Sequence, residues 1–538
     1  IFDQGIVRSE NRVWLDTKSL TQHTFVTGST GCGKSETVYK LIDSIRKTGA
    51  KFLIIEPAKG EYKNVFGTEY IYGTNPLTSN LLKINPFKFV KGVHVLEHAD
   101  RLIEIFNVCW PMYAAMPAVL KEAVLNAYED CGWDLLKSTN KYSEHLFPTF
   151  ADLIQELEWV INTSAYSEEV KSNYKGSLVT RVKSLANGIN GEIFSGQEIG
   201  DVKLFDENVI VDISRIGSQE TKALIMGILI MRLNEYRSNS GIGANSELRH
   251  VTILEEAHNI LKRCSQEQSM EGSNVAGKSV EMIANSIAEM RTYGEGFIIV
   301  DQSPGAVDIS AIRNTNTKII MRLPEETDRR IAGKSAAMKD HQIDEIAKLP
   351  TGVAVVYQND WEEPVLCQID RYEGDRLKYE FKNEIPACVE EKETKENILK
   401  FLLKGRISGT VEFNKDCIVD NVDKLALSTF VKLNIFEALQ EYDECGEISL
   451  WKDAHFEKLS RIVTDIMDAR TAVRRLTKHT QTFDELTYGL EQIVAEKTEV
   501  TTELCNVIEQ CLMRDYSLVD ELHKKLYSAW LQHKRKLL

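Results

Sequence analysis

The sequence contains no apolar run near the roughly 20 residues that a membrane-spanning helix requires, and no charged-then-apolar signal segment stands at its start. It also has no CxxC pair and no His/Cys cluster at zinc-ligand spacing, although it contains ten cysteines. Scattered cysteines of this kind are typical of reduced thiols in the cytoplasm. We therefore expect a cytoplasmic protein that has no membrane partner.

The chain also lacks a net positive charge, since its formal net charge is −15. A surface of that overall sign does not attract nucleic acid, so any contact with DNA requires a local basic lining. The 538 residues, 43% hydrophobic and 27% charged, are typical of a globular protein with two or more folding units. Because the sequence begins with Ile1 rather than Met, we expect further residues, with room for another domain, ahead of it.

A strand, a glycine-rich loop, a helix and a second strand follow one another near the start of the sequence. His23–Thr27 is β-favouring and leads into the loop Gly28–Ser35. From Glu36 onward apolar residues recur at helical spacing as far as a stop at Gly49, and Phe52–Ile55 has the composition of a buried strand. Right-handed crossover connections make a parallel sheet the expected product of such a βαβ unit.

Further along the chain, apolar strands alternate with helical or loop sequence, which predicts a parallel sheet covered by helices. The predicted strands are Val209–Asp212, Val251–Leu254, Phe297–Val300, Lys318–Met321 and Val353–Tyr357. Helical spacing dominates in two other stretches of the chain. We therefore predict an α/β core in two parts, 1–90 and 201–382, with a helical insertion over 91–200 and an all-helical module over 383–538.

The loop between the first strand and helix matches the pattern GxxxxGK[ST], which binds nucleoside triphosphates. Its glycines let backbone N–H groups face the phosphates, Lys34 reaches the β and γ phosphates, and Ser35 binds magnesium. Chance would supply on the order of 0.02 such matches in a chain of this length, so a mere glycine-rich turn is the weaker reading. We predict ATP and Mg²⁺ as cofactors. The predicted nucleotide-binding residues are Gly28, Ser29, Thr30, Gly31, Cys32, Gly33, Lys34, Ser35 and Glu36.

Two adjacent carboxylates, Glu255 and Glu256, follow a β-favouring run later in the chain. A P-loop site needs acidic residues at a second strand end to hold the metal and to activate water. We assign Glu255, together with Ser35, to magnesium and Glu256 to the general base. The alternative is that the two carboxylates only cap the helix that follows.

Gln302 and several arginines complete the candidate catalytic set. Gln302 follows Phe297–Val300 and is expected to sense the γ-phosphate or orient water, the alternative being a polar residue that ends a strand. Arg291 is the first candidate for an arginine finger from a neighbouring subunit, Arg322 the second and Arg181 the third. Spacing alone does not distinguish a finger from a salt-bridged surface arginine. The predicted catalytic residues are Lys34, Glu256, Arg291, Gln302 and Arg322.

Four basic residues in loops or polar stretches are candidates for lining a DNA channel. Side chains of this type would grip phosphates rather than distinguish bases. Ordinary solvated lysines and arginines are the alternative interpretation. The four residues are Arg215, Lys262, Arg263 and Lys278.

The order of the motifs resembles the HerA branch of the HerA/FtsK ATPases over roughly residues 1 to 370. The motifs that carry the resemblance are His23–Ser35, Glu56–Tyr62, Ile253–His258, Arg291–Gly294 with Gln302–Pro304, and Leu349–Gly352. The resemblance implies a RecA-like core, homohexameric rings with ATP sites between subunits, and double-stranded DNA in a central pore. By this analogy Arg291 projects into the neighbouring subunit's site. Many relatives carry Asp where this chain has Glu255, which implies looser or water-mediated metal contact.

Three functions remain open at this stage. The first is a DNA translocase or helicase that works with a partner nuclease in DNA processing or anti-phage defence. The second is a hexameric scaffold or sensor that uses ATP to assemble an effector, nuclease or sirtuin-like. The third is a conjugation or secretion motor. Turnover of ATP with and without double-stranded DNA distinguishes the first function from the second.

Overall fold

The computed structural model describes residues 1–538 apart from 4, 5, 9, 68, 69, 197, 242, 244, 245, 265–274, 375, 377, 382–388 and 538. The chain divides into two compact units. The first comprises Ile1–Ala127 and Phe150–Asn383, and the second comprises Tyr128–Thr149 and Glu384–Leu538. The boundary predicted at 382/383 lies in the stretch 382–388, outside the described residues. Residues 128–149 lie within the predicted helical insertion but group with the C-terminal residues in the structure, which no local pattern had indicated.

A ten-stranded sheet with the order β14-β13-β12-β3-β11-β10-β4-β9-β5-β6 forms the centre of the first unit. All neighbouring strands from β12 to β6 are parallel, and β13 and β14 are added antiparallel at one edge. Two short hairpins, β1 with β2 and β7 with β8, complete the described strands. The strands are β1 Phe2–Asp3, β2 Ile6–Val7, β3 Thr24–Thr27, β4 Lys51–Glu56, β5 Tyr70–Gly73, β6 Asn80–Leu81, β7 Trp133–Asp134, β8 Thr139–Asn140, β9 Val209–Asp212, β10 His250–Leu254, β11 Glu295–Asp301, β12 Thr317–Ile320, β13 Val353–Gln358 and β14 Val365–Gln368.

The central strands are buried on both faces, as expected of a parallel sheet covered by helices. On β4, for example, Phe52 and Ile54 face one way and Leu53 and Ile55 the other, and all four are 0% exposed. The predicted α/β class, a RecA-like P-loop core, is confirmed. The predicted strand Lys318–Met321 begins and ends one residue earlier in the structure, as β12. Strands β5, β6 and β14 had not been predicted, because they are short or lie at the sheet edges.

Helices pack against the sheet in the first unit and form most of the 91–200 stretch. Helix α11 is buried on nearly all sides, which its almost continuous apolar sequence explains. The helices up to residue 345 are α1 Thr17–Leu20, α2 Lys34–Lys47, α3 Lys63–Phe66, α4 Val95–Cys109, α5 Met116–Asp130, α6 Phe150–Thr163, α7 Glu168–Tyr174, α8 Thr180–Ala186, α9 Gly188–Ile193, α10 Asp201–Phe205, α11 Gln219–Asn239, α12 Val275–Glu289, α13 Ile309–Arg313, α14 Glu326–Ser335 and α15 Asp340–Glu345, with a π-helix at Lys175–Val179.

The second unit has its own apolar core, built from helices α16 to α23, and it also contains the β7–β8 hairpin. In the hairpin, Trp133 Nε1 donates to the carbonyl of Leu146 at 2.8 Å, and Leu146 belongs to the core. The helices are α16 Val389–Leu403, α17 Lys415–Asn421, α18 Thr429–Cys445, α19 Phe456–Ile466, α20 Arg470–His479, α21 Phe483–Lys497, α22 Thr502–Tyr516 and α23 Glu521–Leu537.

The nine cysteines within the described part of the chain are free thiols, and Cys388 lies outside it. A search of the described helices finds none that combines the length and the apolarity needed to cross a bilayer.

Candidate nucleotide-hydrolysing site

The predicted site residues other than Arg291 and Arg181 lie at or near the carboxyl edge of the parallel strands. Asp301, the last residue of β11, pairs with Thr27, the last residue of β3, and Leu254 at the end of β10 pairs with Ile299 on β11. The P-loop, Glu255 with Glu256, and Gln302 therefore emerge from three adjacent strands at the same edge. This edge of an open α/β sheet is where ligands bind.

The P-loop has the conformation that its glycines allow. Gly31 and Gly33 have φ values of 77° and 101°, in the left-handed region that favours glycine. A Cβ on Gly28 would lie 2.6 Å from Cys32 Sγ and 2.8 Å from Met321 Cβ, so only glycine fits there. Helix α2 begins at Lys34, and its first N–H groups have no acceptor within the helix.

Some predicted nucleotide-binding residues have other partners. The Ser29 N–H donates to the carbonyl of Arg322 at 2.9 Å, which fastens the loop to the end of β12. The Cys32 side chain is buried beside Met321, and Glu36 forms an ion pair with Arg376. Cys32 and Glu36 would therefore reach a nucleotide only through their backbone.

Lys34 is buried, 9% exposed, and its Nζ has no hydrogen-bond partner within the described residues. Burial lowers the pKa of this ammonium, while the nearby carboxylates of Glu255, Glu256 and Asp301 raise it. A buried cation without a partner is costly unless an anion reaches it. The residues present therefore fit a phosphate group at this position.

Glu255 is held by Tyr62, the last residue of the Glu56–Tyr62 motif, for which no role had been predicted. The Tyr62 hydroxyl donates to Glu255 Oε1, and burial raises the pKa of Glu255. Tyr62 is itself positioned by Glu56, whose two carboxylate oxygens accept from the N–H groups of Glu61 at 2.7 Å and Tyr62 at 3.3 Å. Burial raises the pKa of Glu56 to about 8. Ser35 and Glu255 offer oxygen ligands of the type that Mg²⁺ prefers.

Glu256 has φ 46° and ψ 53°, a left-handed conformation that a non-glycine residue adopts at a cost of about 1–2 kcal/mol. Its side chain makes no capping bond to the 3₁₀ helix Ala257–Asn259, so the capping alternative is not observed. Instead Glu256 Oε1 accepts a 2.6 Å hydrogen bond from Gln302 Nε2, and Gln302 Oε1 accepts from Thr30 Oγ1 at 2.9 Å. Gln302 thus links the P-loop to Glu256.

His258 and Asp301, for which no role had been predicted, also belong to the site. The N–H and Nδ1 of His258 both lie 2.9 Å from Asp301 Oδ2, and Nδ1 lies 3.6 Å from Glu256 Oε2. The hydrogen bond to Asp301 raises the pKa of His258. The end of a buried strand was the signal that could have identified Asp301.

The three candidate arginines occupy different places. Arg291 is exposed on the 3₁₀ helix Met290–Tyr293, at the amino end of β11, and Gln302 follows the other end, roughly 20 Å away along the strand. Arg322 follows β12 beside the P-loop of its own chain. Arg181 on α8 lies 3.6 Å from Glu220, within ion-pair distance.

The predicted basic channel residues are all exposed and lie in different elements. Arg215 follows β9, Lys262 and Arg263 lie after the 3₁₀ helix that follows β10, and Lys278 is on α12. The stretch 265–274 between the last two is outside the described residues.

Comparison with known proteins identifies the relatives of this chain. Residues 5–233 match the family described as Helicase HerA, central domain. The chain is 25% identical over 392 residues to the DNA double-strand break repair helicase HerA of Sulfolobus acidocaldarius, covering 70% of this chain and 71% of the relative. It is likewise 25% identical to the HerA of Sulfurisphaera tokodaii over 386 residues, again 70% of this chain and 71% of the relative.

Among solved structures, VirB4 of Thermoanaerobacter pseudethanolicus superposes with a TM-score of 0.49 and 16% identity, over 65% of this chain and 90% of VirB4. The conjugative coupling protein TrwB superposes with a TM-score of 0.47 and 13% identity, over 67% of this chain and 87% of TrwB. The family match and the HerA relatives agree with the P-loop and the two carboxylates at the sheet edge. This chain is an ATPase of the P-loop class whose sequence is similar to the HerA helicases.

Proposed function

We propose that this chain works as a ring, most simply a hexamer, that hydrolyses ATP with Mg²⁺ to translocate along double-stranded DNA. The observation that carries the proposal is the separation of two sets of residues. Lys34, Glu256 and Gln302 lie at one edge of the sheet, and Arg291 lies at the opposite end of β11.

Arg291 cannot reach the P-loop of its own chain across the length of a strand, but it is exposed and available to a neighbouring subunit. An arginine finger contributes about 10³ to 10⁵ in turnover. If each ATP site receives an arginine from the neighbouring subunit, hydrolysis depends on assembly. In a closed ring every site has such a neighbour. Arg322, which lies beside its own P-loop, would act within one subunit.

The residues of one chain would divide the chemistry as follows. Lys34 and the N-terminus of α2 would hold the β and γ phosphates, and Ser35 with Glu255 would hold Mg²⁺. The metal, when bound, neutralises phosphate charge. Glu256 would accept the proton of the attacking water, and Gln302 would keep that carboxylate in place.

The HerA relatives are named as DNA double-strand break repair helicases, which supports DNA as the polymer on which this chain acts. The resemblance to the HerA/FtsK ATPases also implies an enzyme partner that acts on the same DNA. We therefore include a protein effector, a nuclease or a sirtuin-like enzyme, as a partner in DNA processing or anti-phage defence.

Two measurements on the full chain test the proposal. ATP turnover should rise when a long DNA duplex is added, and hydrolysis should displace a blocking protein bound to that duplex. The Glu256→Gln variant should bind ATP and DNA but perform neither reaction. Turnover that ignores DNA and responds only to an effector protein would contradict translocation and support an ATP-dependent scaffold.

A further inference from the structure

Helix α20, Arg470–His479, carries five basic residues and no acidic residue in ten positions. One face of the helix packs against the rest of the unit through two apolar residues. Val473 is 2% exposed, and Leu476 packs closely on Gly489 of α21. The basic residues are exposed on the remaining surface of the helix. These residues are Arg470, Arg474, Arg475, Lys478 and His479.

Only part of this charge is neutralised within the protein. Arg470 pairs with Asp465 at 2.6 Å and with Asp515 at 3.0 Å. For Arg474, Arg475 and Lys478, no carboxylate of the described residues lies within ion-pair distance. Three exposed cations without a carboxylate partner on one helix create a local positive field in a chain whose net charge is −15, and such a field attracts anionic partners.

A cleft of about 270 Å³ borders the helix, and its lining combines arginines with Asp515 and with apolar residues such as Leu512 and Val519. Its lining includes Arg461, Arg470 and Arg474, and Arg461 is half exposed beside Glu457 at 3.0 Å. We call Arg461, Arg470, Arg474, Arg475 and Lys478 together the α20 basic surface.

The arrangement of the α20 basic surface fits a duplex phosphate backbone better than a protein. Arg470, Arg474 and Lys478 recur every four residues, about 6 Å apart along the helix axis. Adjacent phosphates of one DNA strand lie roughly 6–7 Å apart in space, once the turn of the duplex is added to their axial rise of about 3.4 Å, which is close to this spacing. Protein interfaces depend on buried aromatic and aliphatic anchors, whereas the exposed positions of α20 are basic residues and threonine.

We propose that the α20 basic surface binds the phosphate backbone of double-stranded DNA without regard to sequence. This contact lies in the second compact unit and is additional to any DNA held by the motor core. It rests on the proposed function in one respect, the choice of DNA as the polyanion. The surface adds affinity for DNA and takes no part in hydrolysis.

The test uses the full chain carrying Arg474→Gln, Arg475→Gln and Lys478→Gln together. Affinity for a duplex of random sequence is measured over a range of salt concentrations, without nucleotide. Each phosphate contact contributes about 0.9 to the slope of log affinity against log salt, so the slope should fall by up to about 2.7. DNA-stimulated ATP turnover should need more DNA to reach half its maximum, while basal turnover and the plateau stay unchanged.

A matched variant removes three positive charges elsewhere on the same unit, through Lys392→Gln, Lys415→Gln and Lys452→Gln. Lys392 and Lys452 are exposed and Lys415 is half-buried, and Lys392 and Lys415 already pair with Glu499 and Asp443. This variant should keep the wild-type slope, and unchanged thermal midpoints in both variants show that folding is intact.

Three results would overturn the inference. If the α20 variant binds DNA with the wild-type affinity and slope, the surface serves another partner, such as an acidic protein, and the proposed translocase is untouched. If the wild-type chain binds no duplex at all, both the inference and the proposed function fail. A slope lowered equally in both triple variants would mean that general charge, and not the α20 basic surface, attracts DNA.

Discussion

Gln302 Nε2 donates a 2.6 Å hydrogen bond to Glu256 Oε1, so a side chain from the adjacent strand end holds the carboxylate that we propose as the general base. Gln302 Oε1 accepts in turn from Thr30 Oγ1 at 2.9 Å. One amide therefore joins the loop that would hold the phosphates to the group that would activate water. Because its donor and its acceptor are both in use, the orientation of this amide is fixed.

Replacing Gln302 with alanine removes both hydrogen bonds and releases the Glu256 carboxylate. We expect ATP turnover to fall about 10- to 100-fold, a loss typical of groups that orient a reactive one. Nucleotide affinity should change little, because Lys34 and the P-loop remain. Steady-state turnover and equilibrium binding of a fluorescent ATP analogue separate the two effects. The control variant, Thr30→Val, keeps the hydrogen bond between Gln302 and Glu256, so its ATP turnover should fall less. Equal losses of turnover in the two variants would contradict the role given to Gln302.

Lys34→Met should make the nucleotide-free protein more stable while abolishing nucleotide binding. An unsatisfied buried polar group costs about 1–3 kcal/mol, and methionine replaces the unpartnered ammonium with an apolar end of similar length. The wild-type chain should gain thermal stability when ATP and Mg²⁺ are added, and the variant should not. Thermal midpoints with and without nucleotide measure both effects.

Lys40→Met on the same helix serves as the control for Lys34→Met. Lys40 is partly exposed, so this variant should keep the wild-type response to nucleotide. The prediction is contradicted if, in the absence of nucleotide, the Lys34→Met protein is less stable than the wild type. Lys34 would then not be an unpartnered cation that destabilises the nucleotide-free protein.

Arg291→Ala should leave ATP binding nearly intact and lower turnover by about 10³-fold or more, because the finger of every site is lost. Mixing this variant with Glu256→Gln subunits should restore part of the turnover. In a mixed ring, an Arg291→Ala subunit has an intact Glu256 and receives Arg291 from its Glu256→Gln neighbour. Steady-state turnover as a function of the mixing ratio measures this rescue.

Arg322→Ala provides the matched experiment for a residue that acts within its own chain. If Arg322 serves its own site, mixing Arg322→Ala with Glu256→Gln leaves every site with one defect, so turnover stays low. Rescue in this mixture, together with its absence in the mixture with Arg291→Ala, would assign the finger to Arg322 instead.

The elements around the site could be predicted from the sequence because each has a strong local signal. The P-loop has a fixed pattern of glycines, and Val209–Asp212 is a short apolar run that coincides with β9. Helix α2 has apolar residues at helical spacing and ends close to Gly49, whose φ is 87°. These features depend on neighbouring residues in the chain, and local sequence therefore specifies them.

The partners of the catalytic carboxylates could not be predicted, because they come from distant parts of the chain. Tyr62 reaches Glu255 across 193 positions, and Thr30 reaches Gln302 across 272. Such contacts depend on which strands become neighbours in the sheet. No local sequence pattern specifies the order of the strands in a parallel sheet. The β7–β8 hairpin, with its four paired residues, is likewise too short to distinguish from a turn.

Glu56 makes the stability of the folded chain depend on pH. It ends β4, is 2% exposed, and accepts two backbone hydrogen bonds from the segment that carries Tyr62. Burial, aided by the carboxylates of Asp212 and Glu255, raises its pKa from 4.5 to about 8. The folded chain thus binds this proton more tightly than the unfolded chain does. The resulting stabilisation is complete below about pH 4.5 and is lost as the pH rises through about 8.

Glu56→Gln isolates this contribution, because the amide keeps the shape of the side chain and cannot ionise. The pKa difference corresponds to roughly 5 kcal/mol. As the pH is raised from 5 to 9, the wild type should lose stability that the variant keeps, so the thermal midpoint of the variant should rise relative to that of the wild type. Scanning fluorimetry at several pH values measures the difference between the two proteins. Glu61→Gln changes an exposed neighbour and should show a difference that does not vary with pH. A constant difference for Glu56→Gln over the same range would mean that the buried carboxyl is already ionised at pH 5, stabilised by the N–H groups of Glu61 and Tyr62 more strongly than burial destabilises it.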